Sequence, residues 1–195
     1  MRDDNQVDNK DAQLLAGIAR QNHDDFAEFV SQYMLSIMNF VHRFFSSKSQ
    51  AEDIAQDVFL KVWQNAKSWK QKESGSARAW LYRIAYNRCI DLLRQQKPQV
   101  DMTDNLSTDI TPEKILLNDS KHKQLNNAIA ALPERQRTAL SLCTFQGLSN
   151  KDAAKTLAIS VDALESLLSR ARRQLRKQLS LETKNEMNGG KAINE

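Results

Sequence analysis

The residues between Leu132 and Leu179 constrain the fold more than any other part of the chain, because signals for helix ends recur there at short intervals. Pro133 suits the first position of a helix, where no backbone N–H is needed, and Gly147 can adopt the left-handed conformation that ends one. Ser149 and Ser160 suit the N-caps of two further helices. The segment therefore predicts a helix-turn-helix, with a buried side made by the apolar residues at helical spacing, Leu140, Leu142, Phe145, Ala153, Ala154, Leu157, Val161, Leu164, Leu168, Ala171 and Leu175.

The last of these helices becomes strongly basic towards its end. Its outer side carries Asp162, Glu165, Ser166, Ser169, Arg170 and Arg173, and the basic end is extended by Arg172, Arg176 and Lys177. A short helix, a tight turn and a basic helix are the parts that place one helix in a DNA major groove. A solvated amphipathic helix without a ligand is the alternative interpretation.

The composition favours an all-α chain. Its 195 residues include five glycines and three prolines, too few for an architecture of strands and turns, and 41% of them are hydrophobic, enough for compact helical cores. The net charge of +4 fits a polyanionic partner. The three histidines are scattered and the two cysteines lack the spacing of metal ligands, so the sequence predicts neither an enzyme nor a bound cofactor.

The same features predict a cytoplasmic protein. Cys89 and Cys143 lie in helical patterns and are expected to be free thiols in a reducing compartment. The first residues are acidic and polar, unlike a signal peptide, and no apolar run approaches the length that spans a membrane. We therefore expect no membrane insertion.

Two helical domains are expected, joined by a flexible linker. The periodic segments fall in residues 11–95 and 112–181, and residues 96–111 between them are polar, acidic and without a period. Residues 182–195 are polar and are expected to form a disordered tail. In the first domain, Ser49 with Glu52 is expected to form a capping box, and Ser76 is expected to cap the domain's last helix.

An acidic helix face is predicted in the first domain. Asp53 and Asp57 are four residues apart, so their carboxylates share one face and repel each other at a cost of a few tenths of a kcal/mol. A basic partner would remove that cost. A solvated acidic face and a divalent-metal site are the alternatives, the second weakened because one helix face supplies few ligands.

The helix after Ser76 mixes aromatic rings with cations. Trp80 and Ile84 are expected in the core, on a stripe that continues through Asn87, while Tyr82, Arg83, Tyr86 and Arg88 cover other faces. Rings stack on bases and cations follow phosphates, a combination that suits single-stranded nucleic acid. The pattern leaves open whether these side chains form a binding site or an ordinary surface.

Taken together, these motifs resemble a bacterial RNA polymerase sigma factor of the extracytoplasmic-function group of the sigma-70 family. The resemblance is carried, in order, by AEDIAQDVFLKVW, WLYRIAYNRCIDLLR, the polar linker, LPERQRTALSL, GLSNKDAAKTLAIS and SRARRQLR. It covers residues 14–179, and the order and spacing of the motifs are far more specific than any single one.

The resemblance implies a role for each of three sets of residues. The polymerase-binding set, expected on the clamp coiled coil of the largest subunit, is Asp53, Ile54, Ala55, Gln56, Asp57, Val58, Phe59 and Trp63. The set expected on the single-stranded minus-ten promoter element is Trp69, Tyr82, Arg83, Tyr86, Asn87 and Arg88, with Trp69 in a loop that shapes a pocket for a flipped base. The set expected on the duplex minus-thirty-five element is Asp162, Glu165, Ser166, Ser169, Arg170, Arg172, Arg173, Arg176 and Lys177. The polymerase flap and an anti-sigma factor are further implied partners.

The sequence departs from the family pattern at two places. Ala158 stands where the turn usually has glycine, and a left-handed alanine costs about 1 kcal/mol. Glu165 and Leu167 stand where basic residues are common, so the start of the recognition helix is less cationic than usual.

Two other functions remain as alternatives. A stand-alone helix-turn-helix regulator would leave the acidic face and the stripe at Asn87 unexplained. A sigma-like mimic that sequesters an anti-sigma factor would not need the basic end of the last helix. The sequence therefore favours an initiation factor that binds core polymerase, recognises promoter DNA and promotes its melting.

Overall fold

The computed structural model describes residues 3–45, 47–70, 75–96 and 120–189, and every regular element within these ranges is a helix. The predicted all-α class is therefore confirmed for them. In the first half of the chain α1 is Asp3–Ala19, α2 is His23–Val41, α3 is Lys48–Asn65 and α4 is Ala77–Gln96, with a 3₁₀ turn at Ala66–Ser68. In the second half α5 is Ser120–Ala130, α6 is Glu134–Leu140, α7 is Asn150–Leu157 and α8 is Val161–Gly189, with a π-helical turn at Ser141–Phe145.

The first four helices pack around an apolar core that α2 crosses. Phe29, Ile37, Phe40 and Val41 of α2 are fully buried, as their helical spacing predicts. The same core takes in Trp80 as predicted, and Ile84 packs against it. The buried carboxylate of Asp11 ties α1 to α2, because it accepts hydrogen bonds from Gln32 Nε2 at 2.8 Å and from the Tyr33 hydroxyl.

The predicted caps are correct for α4 and wrong for α3. Ser76 Oγ accepts a hydrogen bond from Ala79 N at 3.2 Å at the start of α4. Helix α3 begins earlier than expected, because Ser47 has an extended backbone and its Oγ accepts from Gln50 N at 3.3 Å. Ser49 therefore lies inside α3, where its backbone is already helical and cannot provide a cap.

The helix ends predicted in the second domain are mostly confirmed. Gly147 has φ of +65°, and the hydroxyls of Ser149 and Ser160 accept from Asp152 N and Ala163 N, each at 3.1 Å. Pro133 is one position earlier than expected, at the N-cap of α6. Ala158 is left-handed, with φ of +53°, as its place in the turn implies.

Two residues predicted on the buried side of this domain lie at its surface. Phe145 is 47% exposed and Val161 is 38% exposed. Leu164, Leu168 and Ala171 are buried as predicted. Val161 shares the helical spacing of these residues but is the first residue of α8, at the end of the buried stripe.

The two expected domains pack against each other through α4 and α7. Their apolar residues form one continuous core, in which Leu142, Leu148 and Ala154 of the second domain join those of the first. A smaller cluster of Leu132, Leu140 and Ala171 lies within the second domain.

The expected linker and tail are only partly covered. Gln96 ends α4, and residues 97–111 of the expected linker lie outside the described residues. Helix α8 runs on to Gly189, so residues 182–189 of the expected tail are helical here, and residues 190–195 are outside the described part.

Candidate functional site

Helix α3 separates the polymerase-binding set into a buried half and an exposed half. Four of its residues, Ile54, Ala55, Val58 and Phe59, are buried in the core of the first domain. Asp53, Gln56 and Asp57 are exposed, and Trp63 is half-buried against the rings of His23 and Phe26. The exposed residues can contact a partner, while the buried ones hold α3 in place.

An exposed leucine on the same face was missed at the sequence level. Leu60 is 54% exposed and follows Gln56 and Asp57 at offsets of four and three residues, so it shares their face of α3. An apolar side chain among carboxylates and amides suits a protein partner better than a solvated face. Its spacing from Gln56 and Asp57 was the signal that could have identified it.

The expected repulsion between Asp53 and Asp57 is relieved by a cation from another helix. Arg88 of α4 donates to Asp57 Oδ2 from its Nη2 at 2.5 Å and from its Nε at 3.1 Å. Asp57 therefore has a cationic partner within the chain, 31 positions away in the sequence. Arg88 belongs to the minus-ten set and Asp57 to the polymerase-binding set, so their ion pair connects the two sets.

The remaining minus-ten residues differ in their access to solvent. Asn87 is exposed, and Arg83, Tyr86 and Trp69 are half-buried. The 3₁₀ turn that precedes Trp69 packs against α1 and α3, and among the described residues the indole Nε1 of Trp69 finds no hydrogen-bond acceptor. Burial raises the pKa of Tyr86, so its phenol remains a neutral hydrogen-bond donor.

Tyr82 is buried, contrary to its predicted place on a DNA-binding surface. Its ring lies edge-on to Phe40 at 5.3 Å, and its hydroxyl donates to Gln146 Oε1 of the second domain. Burial is the main cause that raises the pKa of this phenol. The docked second domain therefore covers Tyr82, and the sequence could not show this because the two partners are 64 residues apart.

The outer side of α8 is exposed as expected. All nine residues assigned to the minus-thirty-five element lie at the surface, on the side away from Leu164, Leu168 and Ala171. Glu165 is held by a hydrogen bond from Asn150 Nδ2 of α7 at 3.2 Å. The arginines are free of core packing and lie where a DNA backbone could reach them, while base contacts stay a prediction.

The described residues offer little support for metal chemistry or membrane insertion. They contain no group of three histidine, cysteine or acidic side chains that could hold a metal ion, so the alternative of a metal site at Asp53 and Asp57 gains no support from them. Both cysteines are free thiols, and burial raises the pKa of each. No helix in the described ranges is long and apolar enough to cross a membrane.

Comparison with known proteins gives matches to both halves of the chain. The family model of Sigma-70 region 2 matches residues 29–99, and that of Sigma-70 region 4 matches residues 122–175. The RNA polymerase sigma-H factor of Pseudomonas aeruginosa is 31% identical over 183 residues, which cover 87% of this chain and 94% of that protein. The ECF RNA polymerase sigma factor SigW of Bacillus subtilis is 30% identical, covering 83% of this chain and 92% of that one.

Two solved structures have the same fold. CnrH in complex with the cytosolic domain of CnrY has a TM-score of 0.66 at 23% identity, covering 88% of this chain and 98% of that chain. The sigma factor RpoE from Bartonella quintana, in complex with the anti-sigma factor NepR, has a TM-score of 0.61 at 22% identity, covering 80% and 97%. The two matched regions occur in the family's order, and the relatives are matched over nearly their whole length. The chain therefore belongs to the sigma-70 family, in its extracytoplasmic-function group.

Proposed function

We propose that this chain is an alternative sigma factor, which binds core RNA polymerase, directs it to specific promoters and promotes DNA melting. The observation that carries the proposal is that one chain presents both an exposed acidic face on α3 and an exposed basic face on α8, within the two matched family regions. The polymerase would perform the chemistry, and the sigma factor would supply binding energy rather than catalysis.

The polymerase-binding surface is proposed to be the exposed side of α3, made by Asp53, Gln56, Asp57 and Leu60. Carboxylates attract a basic partner surface and select its orientation, while the exposed leucine at the end of this face gains from being removed from water. The pair between Arg88 and Asp57 leaves Asp57 half-exposed, so that carboxylate can still accept a hydrogen bond from a partner.

The minus-ten element is proposed to meet the exposed part of α4 around Asn87. An amide side chain offers two donors and one acceptor, enough to pair with the edge of one unstacked base. Tyr86 offers a ring beside it, and Arg83 offers a cation for phosphate. Capturing unpaired bases offsets the unstacking cost of a few kcal/mol, which is how binding can promote melting.

The minus-thirty-five element is proposed to meet α8 in the major groove. The residues nearest its start, Asp162, Glu165 and Ser166, would face base edges, because the first residues of a recognition helix enter the groove. Arg172, Arg176 and Lys177 would contact phosphates and position the helix without reading sequence.

An anti-sigma factor is proposed as a further partner, and the cytoplasm as the location. The structural neighbour RpoE from Bartonella quintana is a sigma factor in complex with the anti-sigma factor NepR, and CnrH is in complex with the cytosolic domain of CnrY. A stand-alone regulator is disfavoured because it has no use for the exposed α3 face. A mimic that only sequesters an anti-sigma factor is disfavoured because it has no use for the cations of α8.

Run-off transcription tests the proposal directly. A genomic promoter library is transcribed by three samples: core polymerase alone, core with the wild-type chain, and core with a D53A/Q56A variant. We expect transcripts from a discrete set of promoters with the wild-type chain and few with the variant, whose helix content should be unchanged. Duplex binding without any core-dependent transcription would instead favour the stand-alone regulator.

A further inference from the structure

Glu165, which stands where basic residues are common in the family, is held in place by the preceding helix. Asn150 at the start of α7 donates a hydrogen bond from its Nδ2 to Glu165 Oε1 at 3.2 Å. The Oδ1 of the same amide accepts from Cys143 Sγ at 3.8 Å, so the two bonds together set the direction in which Asn150 donates. The carboxylate of Glu165 is therefore oriented before any DNA is bound.

Glu165 keeps most of its capacity to accept hydrogen bonds. A carboxylate has about four acceptor sites, and the bond from Asn150 uses one of them. The side chain is exposed near the start of α8, the part of a recognition helix that enters the major groove. Its remaining acceptor sites can therefore meet donors on the edges of bases.

The charge of this part of α8 argues against a role in phosphate binding. Residues 161–169 contain no arginine or lysine, and the first cation of the helix is Arg170. Duplex DNA carries one negative charge per about 1.7 Å of its axis, so a carboxylate here is repelled by the phosphates. The repulsion is offset where the carboxylate accepts from a base amino group, which adenine and cytosine present in the major groove.

Cytosine suits the carboxylate of Glu165 better than adenine does. Cytosine presents its N4 amino group without an acceptor beside it, whereas adenine presents N7 next to its N6 amino group. A carboxylate is repelled by N7, because both groups only accept hydrogen bonds. Glutamine has the opposite preference, since its amide can accept from N6 and donate to N7 of the same adenine.

We infer that Glu165 selects a cytosine at one position of the upstream promoter element, and that Asn150 is the positioning residue that orients its carboxylate. This inference rests on the proposed function and names the base that one residue of α8 recognises. It also gives the departure from the family pattern a role. An acidic residue in place of a basic one loses attraction to phosphates and gains recognition of one base.

The test is the base preference of core polymerase carrying the full-length chain. The complex is given duplexes with a constant downstream element and a randomised upstream element, and the bound duplexes are sequenced. At one position the wild-type chain should enrich cytosine over adenine by about tenfold, the ratio that one hydrogen bond to a charged group supports. Glu165→Gln should enrich adenine at that same position. Loss of the negative charge by itself would strengthen binding to all duplexes alike.

Asn150→Asp separates a positioning role from a structural one. The N-terminus of α7 favours a negative charge, so the helix should remain folded with aspartate in its first turn. The new carboxylate would repel Glu165 and could not donate to it, so the preference for cytosine should fall about fivefold. The matched control is Lys151→Ala at the next exposed position of α7, which should keep the wild-type preference.

The possible failures can be told apart. The same enriched sequence for wild type and Glu165→Gln would overturn the inference and leave the proposed function standing, as would a change at a position where wild type prefers another base. Full preference for cytosine in Asn150→Asp would overturn the positioning role. If the wild-type chain with core polymerase enriches no upstream sequence, the proposed function has failed and the role of Glu165 falls with it.

Discussion

Leu60 provides the sharpest test of the proposed polymerase-binding face. Fully burying a leucine side chain stabilises a complex by about 1.5–3 kcal/mol, and 54% of Leu60 remains to be buried. Truncation to alanine should therefore cost roughly 1 kcal/mol of binding, or about a fivefold increase in Kd. The free energy of unfolding should change by no more than about 0.5 kcal/mol, since the side chain lies at the surface.

The chain offers a matched control at Leu35. This leucine is 69% exposed and lies on α2, outside the acidic face of α3. Fluorescence anisotropy titrations of labelled protein with core polymerase should show weaker binding for Leu60→Ala and nearly unchanged binding for Leu35→Ala. Equal losses for the two variants, or no loss for Leu60→Ala, would refute the assignment of this face.

Three further predictions concern DNA and stability. Arg176→Ala should weaken binding to all duplexes alike and lower the slope of log affinity against log salt concentration by about 0.9. Ser166→Ala should instead change the preference among upstream sequences. Gel-shift titrations at several salt concentrations separate the two effects. Asn87→Ala should lower open-complex formation on paired templates and regain part of it on a pre-melted bubble, as permanganate footprinting would show. Normal melting with normal base preference would mean that Asn87 does not contact the melted DNA. Ala158→Gly should remove the strain of a left-handed alanine and raise Tm by about 2 °C in calorimetry, so a lower Tm would contradict the strain argument.

Features that depend on neighbouring residues were predictable from the sequence. A cap, a left-handed stop and a buried stripe each involve residues within about four positions, so Gly147, Ser149 and Ser160 could be assigned from local chemistry alone. The error at Ser49 shows the limit of this reasoning, because several serines near a helix start satisfy the same rule and the backbone selects one of them. The helical class, the helix-turn-helix and the exposed side of α8 follow from such patterns.

Only the tertiary structure decided which of the assigned residues can reach a partner. Arg88 pairs with Asp57 across 31 positions, and Tyr82 meets Gln146 across 64, so neither contact has a signal at helical spacing. Periodicity identifies two faces of a helix but not what covers them, which is why Tyr82 was placed at the surface. The docking of the two domains was likewise not predictable from the sequence, because it depends on packing between elements far apart in the chain.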